Sequence, residues 1–416
     1  MARSPLTLAA AVTSALPRVG VVAAGPLTAG GTGRFDSAVV TLDDRREVVV
    51  RAPVDAEAAR DLAAEALALR ALTSGVRGLL GVRAPELLGD VALGEGRALV
   101  TDLLPGYQVE AAHLPGGPGA AVSVGQALAS VHALPASVVR SEGLPVRTPE
   151  EVRHETTTLL DRAEATGRVP RALLDRWRGA AAKDDLWRFE STVILGGAGA
   201  TSFLFQDTDA GPAVTGMLDW HALAVGDPAT DLRWLASAPQ AADDVFTAYH
   251  DSAHRAPDTH LRSRARLYAE LEFAQWLVHG SELHRTDIMD DAAGLLDTLA
   301  GSVHDDELVP AETGEPLDDA MAALDRVPQT PATIDTSMQT DAYDPAELAA
   351  FLDTTTELES EPETSSEPAA LDDTATAPID LVSWVDAAVA EDDDHDAEAE
   401  TERASREALR RWAASE

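Results

Sequence analysis

VTGMLDWHALAVGDPATDLRWL, residues 214–235, decides the fold. Val214 to Leu218 form a short apolar run, and Asp219 stands immediately beyond it, as an acid placed at the end of a strand. Gly226 and Pro228 fix a turn, and Asp231 opens a helix that Leu232, Trp234 and Leu235 would bury. Asp227 and Asp231 suit capping and bracing in such a turn, so of the three acids Asp219 is the one left for chemistry. Just upstream, VILGGAGATSFLF (193–205) is a second apolar stretch interrupted by glycines, and QDTDAGP (206–212) joins the two as a hairpin. Helical periodicity surrounds this hairpin, in GAAVSVGQALASVHALP (119–135), HETTTLLDRAEATG (154–167), PRALLDRWRGAAA (170–182) and RSRARLYAELEFAQWLVHGSEL (262–283).

Towards the amino terminus the texture changes to strands. VGVVAAGPL (19–27), AGGTGRFDSAVVTL (29–42) and REVVVRAPV (46–54) alternate apolar runs with glycine or charged turns. AAEALALRAL (63–72) then has helical spacing, and APELLGDVALGEGRALVTDLLPGYQV (84–109) gives two more strands around Gly94-Glu95-Gly96. The expected architecture is α+β: five strands with one helix between the third and fourth, followed by a mostly helical half. The opening MARSPLTLAAAVTSALP reads either as a secretion signal or as an amphipathic helix. Ser4-Pro5 marks a helix start, Ser14 interrupts the apolar run, and Leu6, Leu8, Val12 and Leu16 recur at helical spacing, which favours the helix and a cytoplasmic protein.

Charge divides the chain at about residue 305. Residues 305–416 carry 32 acidic and 5 basic side chains, net −27; the totals of 71 and 32 leave 39 and 27, net −12, for residues 1–304. The first part has enough Ala, Leu and Val, with Trp and Phe at intervals, for one two-lobed unit, with lobes expected at 1–106 and 107–304. The last part, with DTTTELESEPETSSEP and EDDDHDAEAETE, has too little apolar material to offset the entropy of ordering and is expected to be mostly disordered. DPAELAAFL (344–352), IDLVSWVDAAVA (379–390) and the final ETERASREALRRWAASE (400–416) are helical islands within it. Such a tail either solubilises the protein, or uses Leu381, Val382, Trp384 and Val385 to dock a protein partner or to cover the lobe cleft in cis. An acidic surface repels nucleic-acid phosphates and anionic lipid, so neither is an expected partner. The absence of Cys excludes disulfides and thiolate metal sites, and no run approaches the roughly 18 apolar residues of a membrane helix.

The strand order, Asp219 and the Gly226-Asp227-Pro228-x-x-Asp231 turn together resemble the kinase-like small-molecule phosphotransferases, in the bacterial branch that includes macrolide and aminoglycoside phosphotransferases. The resemblance covers residues 1 to about 304. It implies a bilobal protein-kinase-like fold and ATP- or GTP-dependent phosphoryl transfer to a small-molecule hydroxyl, with Mg²⁺ on Asp219. It also implies that Gly30, Gly31 and Gly33 form the turn over the phosphates, although a plain hairpin turn has the same composition. Arg51 falls where the family has its third-strand basic residue and Glu65 where the next helix supplies the ionic partner; Arg51 could equally be a strand-end charge. The family places base recognition on backbone atoms of the segment Val100–Gly106, and His132 at a packing or capping position.

One motif departs from the family. Where it carries His-Gly-Asp and, five residues on, Asn, this chain has Leu195, Gly196 and Gly197, then Ser202. Gly197 offers no carboxylate to orient the acceptor hydroxyl, and a Ser hydroxyl is a poorer ligand for a hard cation than an Asn carbonyl. The only Lys is Lys183, far from the phosphate turn in sequence. His221, Asp207 and Asp209 are candidates for a displaced base, and GGAGATS for a nest of backbone amides. Glu270, Glu272 and His279 are candidates for an acceptor pocket, while Tyr268, Phe273 and Trp276 at helical spacing read as core. Three functions follow: an impaired homologue that binds nucleotide, a small hydroxylated molecule or another protein; an active phosphotransferase with a displaced acid; or a partner-binding protein acting through its acidic tail.

Overall fold

The computed structural model describes residues 3–27, 33–94, 96–209, 211–303 and 307–309, all within one compact unit. Gly30, Gly31 and the acidic segment from residue 310 onward, with its expected helical islands, lie outside the described residues.

The amino-terminal part runs α1 (Pro5–Ala15), β1 (Val21–Pro26), β2 (Phe35–Leu42), β3 (Glu47–Pro53), α2 (Ala56–Ala71), the single turn α3 (Ser74–Arg77), β4 (Leu87–Leu93) and β5 (Gly96–Asp102). The five strands form an antiparallel sheet in the order β1-β2-β3-β5-β4. Period-two alternation splits its residues between two faces. Ala38, Val40 and Leu42 of β2 and Val48, Val50 and Ala52 of β3 are buried against Leu8, Ala11 and Val12 of α1. Arg51 and Leu99, paired in register, lie on the opposite face, where Leu62 and Ala66 of α2 cover Leu99. A helix thus packs on each face of the sheet.

The opening segment is the helix its pattern predicts. Ser4 caps it by accepting from the Thr7 N–H at 3.2 Å, with Pro5 in the first turn, where no N–H is missed. Leu6 departs from the expected stripe and is 77% exposed. Leu8 is buried, so Leu8→Ala should cost about 2–5 kcal/mol in urea unfolding. A loss below about 0.5 kcal/mol would mean that α1 is not docked in solution.

The remainder is helical apart from short strand pairs. It comprises α4 (Ala120–His132), α5 (Ser137–Ser141), α6 (Pro149–Ala165), α7 (Arg171–Ala182), β6 (Thr192–Ile194), β7 (Phe203–Thr208), β8 (Gly211–Met217), β9 (Ala224–Gly226), α8 (Ala242–Ser252), α9 (Leu261–Glu282) and α10 (Thr286–Ser302). The expected hairpin is β7–β8, and β6 pairs separately with β9. One apolar cluster gathers α4, α8 and the hairpin; a second joins α6, α7, α9 and α10. Helix α4 approaches α8 so closely that a Cβ on Gly125 would lie 2.5 Å from the Val245 carbonyl oxygen.

Both edges of the hairpin are held by the segments that flank β4 and β5. Tyr107 and Phe205 exchange backbone hydrogen bonds of 3.0 and 2.8 Å along β7. On the far edge Arg83 donates its N–H to the Thr215 carbonyl and accepts from Met217, at 2.9 and 2.8 Å. The result is a bilobal, kinase-like arrangement: a five-stranded lobe, a helical lobe, and a hairpin stitched to both sides of their connection.

Candidate functional site

Asp219 sits two residues beyond the end of β8 in the left-handed conformation, with φ 61° and ψ 48°. Few residues other than glycine adopt it, at about 1–2 kcal/mol, and Asp is among the more tolerant. The kink is held in place by the next residue: Trp220 is fully buried and its indole N–H donates to the Met217 carbonyl at 2.8 Å. Asp219 itself is half-buried, and its Oδ2 accepts from the Ser202 hydroxyl at 2.7 Å. Ser202 is buried and in turn accepts from the Gly199 N–H at 3.1 Å. Asp219 and Ser202, joined by resemblance at the level of sequence, are therefore brought together.

Asp219 Oδ1 has no partner among the described residues. A carboxylate beside a hydroxyl fits Mg²⁺, which usually takes one or two protein carboxylates and completes its six oxygens from phosphate and water. It does not form a cage on its own: among the described residues no three His, Cys, Asp or Glu side chains are gathered for a metal.

The loop carrying Leu195, Gly196 and Gly197 keeps a defined shape without the usual side chains. Asp231, fully buried, accepts from the Leu195 and Gly196 amides at 2.6 and 2.8 Å. It also meets His132 Nε2 at 3.2 Å, while His132 Nδ1 lies 2.8 Å from the Tyr249 hydroxyl. With Nε2 protonated towards Asp231, Nδ1 accepts from Tyr249, whose pKa burial pushes well above the usual tyrosine range. His132, read from sequence as packing or capping, is thus a buried relay to the loop brace. Leu195 occupies apolar core. Gly196 needs its glycine: φ is +79° and a Cβ there would lie 2.3 Å from the Ala222 carbonyl oxygen. At Gly197 the opposite holds, since a Cβ would meet nothing within 4 Å.

Asp227 is scaffold, as its turn position suggested. Arg264, with no exposed surface, donates to it from Nε at 2.6 Å and from Nη2 at 3.1 Å; the Tyr268 hydroxyl adds 2.6 Å and the Ala229 N–H 2.9 Å. Arg264 also grips Asp258 and lies over the Phe189 ring at 4.4 Å. Sequence reading missed this arginine, because nothing in its helical spacing separates it from the surface arginines beside it.

On the sheet, Arg51 forms an ion pair with Glu65, which is 3% exposed, and its guanidinium lies 5.4 Å from the centre of the Phe35 ring. Gly33, at φ +78°, has the left-handed backbone that a glycine turn requires. The acceptor-pocket candidates fare differently. Glu270 is buried and bonded to Arg176 at 2.8 and 3.0 Å and to the Trp177 indole at 2.8 Å, so it is structural. Glu272 pairs with Arg233, and His279 stacks on Trp276. Asp207 accepts from the Tyr107 hydroxyl at 2.6 Å, which engages it at the hairpin's outer end.

The sequence matches the phosphotransferase enzyme family over residues 29–268. No curated protein matches it. Among solved structures, the apoenzyme of macrolide 2'-phosphotransferase MphH from Brachybacterium faecium is 22% identical, with TM-score 0.57 over 69% of this chain and 96% of that one. A type I macrolide 2'-phosphotransferase is 21% identical, with TM-score 0.55 over 71% and 98%. The GDP complex of wild-type aminoglycoside 2'-phosphotransferase-IIIa is 18% identical, with TM-score 0.58 over 71% and 98%. At these identities the likeness is one of fold.

Proposed function

Because the chain belongs to the phosphotransferase enzyme family, we propose that it binds ATP or GTP with Mg²⁺ between its sheet and its helical lobe, and that the glycine at position 197 strongly reduces phosphoryl transfer to a small-molecule hydroxyl. One observation carries this reading. The loop is braced by Asp231 and the Ser202–Asp219 bond is made, yet the position from which a base would act bears no side chain.

Mg²⁺, when bound, would neutralise charge between the phosphates. Asp219 would hold it, with the Ser202 hydroxyl fixing the orientation of the carboxylate. Arg51, kept in place by Glu65 and Phe35, would meet phosphate oxygens through a planar fork instead of a compact ammonium. Backbone atoms of the connection after β5 would receive the base, so its identity is not written in side chains. Acceptor binding would fall to the helical lobe, with a macrolide or aminoglycoside as the first compounds to try.

A thermal-shift titration tests the binding half. Mg²⁺ with ATP or GTP should raise the melting temperature, and Asp219→Ala should abolish the Mg²⁺-dependent part while leaving the protein folded. No stabilisation by either nucleotide would remove the proposal and leave a protein that works through other surfaces, the acidic tail included. Steady phosphorylation of an acceptor, lost in Asp219→Ala, would instead show an active enzyme with a displaced base.

A further inference from the structure

Helix α2 ends at Ala71, and the last carbonyls of a helix lack partners within it. Arg77, the final residue of α3, supplies donors from outside. Its Nε donates to the Leu72 carbonyl at 2.8 Å, just past the helix, and Nη2 reaches the Leu69 carbonyl at 3.5 Å. The same guanidinium also grips the chain ahead of β4. There Nη1 donates to the Ala84 carbonyl at 2.7 Å and Nη2 to the Pro85 carbonyl at 2.8 Å. Arg77 is half-buried, and that burial pushes its pKa below the ordinary arginine range. Among the described residues no carboxylate bonds to it, so its hydrogen bonds serve only to join two backbone segments. A planar fork of five N–H groups suits this, and its positive charge matches the carboxy-terminal end of the α2 dipole.

The gripped segment, residues 83–86, is a junction. Arg83 is bonded through its backbone to Thr215 and Met217 of β8. Glu86 donates its N–H to Asp102 Oδ1 at 2.6 Å and accepts the Asp102 N–H at 3.1 Å, at the end of β5. Arg83 Nη2 adds a 3.0 Å bond to Asp102 Oδ2. Four residues thus tie together α2, β5 and β8. Each of those elements leads to a part of the nucleotide site: Glu65, with its Arg51, lies on α2, Asp219 follows β8, and the connection that would receive the base follows β5. Leu72, Leu80 and Ala84 share a buried apolar cluster with Trp220, the residue after Asp219, so the junction is packed as well as bonded.

We propose that Arg77 is a positioning residue that clamps the end of α2 to residues 83–86, and so sets the Arg51–Glu65 pair at a fixed place relative to Asp219 across the Mg²⁺-nucleotide site. The nucleotide part rests on the function proposed above; the clamp between α2 and residues 83–86 does not. Losing Arg77 leaves Arg51 and Asp219 chemically intact. What it frees is the spacing between them.

The test compares full-length wild type with Arg77→Met, which removes the donors, and Arg77→Lys, which keeps the charge but replaces the fork with one ammonium. Affinity for MgATP and MgGTP is measured well below the melting temperature of each protein. It should fall about fivefold in Arg77→Met and by less in Arg77→Lys. In an Arg51→Met background, Arg77→Met should weaken binding no further, because Arg77 acts through Arg51. A clamp that serves stability alone would lower the melting temperature and leave affinity unchanged, which overturns the proposal. The same fivefold loss in the absence of Arg51 would overturn it too, since Arg77 would then act by another route. If Arg77→Met does not fold, Arg77→Lys is read by the same criteria. If wild type binds neither nucleotide, the functional reading falls, and backbone hydrogen exchange across residues 69–77 and 83–87 decides the clamp: faster exchange in the variants supports it, and unaltered exchange refutes it.

Discussion

Gly197→Asp is expected to raise the rate of phosphoryl transfer by about 10²- to 10⁴-fold, the range a positioned general base supplies. The expectation is steric as well as chemical. Gly197 is not among the residues with positive φ, and a Cβ there has open space around it, so an aspartate needs no movement of the loop. Gly196 beside it could not take a side chain, which makes the pair a control within one loop: Gly196→Ala should lower the melting temperature, and Gly197→Asp should not. Ser202→Asn is the harder half of the restoration. Ser202 is buried and bonded on both sides, so a longer side chain must displace either the Gly199 amide or Asp219. The double variant should therefore gain a metal ligand and lose some stability. The measurement is initial rate on a macrolide and aminoglycoside panel with ATP and GTP. Equal rates for wild type and both variants, in protein that still binds nucleotide, would mean that more than the base is missing.

Asp227→Ala should be the most destabilising change of those considered, by about 3–5 kcal/mol, or on the order of 10 °C in melting temperature. It takes two hydrogen bonds from the Arg264 guanidinium at a site with no exposed surface, leaving that cation only Asp258 as a carboxylate partner, and leaves the Tyr268 hydroxyl without its carboxylate. Burial and the Asp227 charge both push the Tyr268 pKa well above the tyrosine range, so the hydroxyl stays neutral and needs an acceptor. Asp227→Ala with Arg264→Met should recover part of the loss, because it removes the buried charge that has lost one of its two carboxylates. Asp258 is then left at the protein edge, where water can reach it. A loss under about 1 kcal/mol for the single variant would refute the scaffold role of Asp227.

These two residues show how differently parts of the molecule were legible. The order of strands and helices followed from period-two and 3.6-residue patterns, and the sheet pairs as that order requires. Asp219 stood out because it directly follows an apolar run, and the structure joins it to Ser202. Arg51 and Glu65 were matched through resemblance, and the structure joins them. The brace on the loop of Leu195 to Gly197 was not visible, because Asp231 lies 36 residues from Leu195 and 99 from His132, and no local period links such positions. Glu270, a pocket candidate from its helix position, is held instead by Arg176 and Trp177, 94 and 93 residues away, which its own helix does not reveal.

By itself the sequence determined the order of strands and helices, the acid that follows β8 and the glycine at position 197. Those properties are local, since each depends on residue type and spacing within one short segment. Tertiary structure decided which charges are available. Asp227, Asp231, Glu270 and Arg264 are bound into buried networks, while among the described residues Asp219 keeps an oxygen without a partner and nothing lies within 4 Å of a Cβ on Gly197. The physical reason is that a buried charge must be matched within hydrogen-bonding distance, and its match is supplied by chain packing, not by sequence proximity.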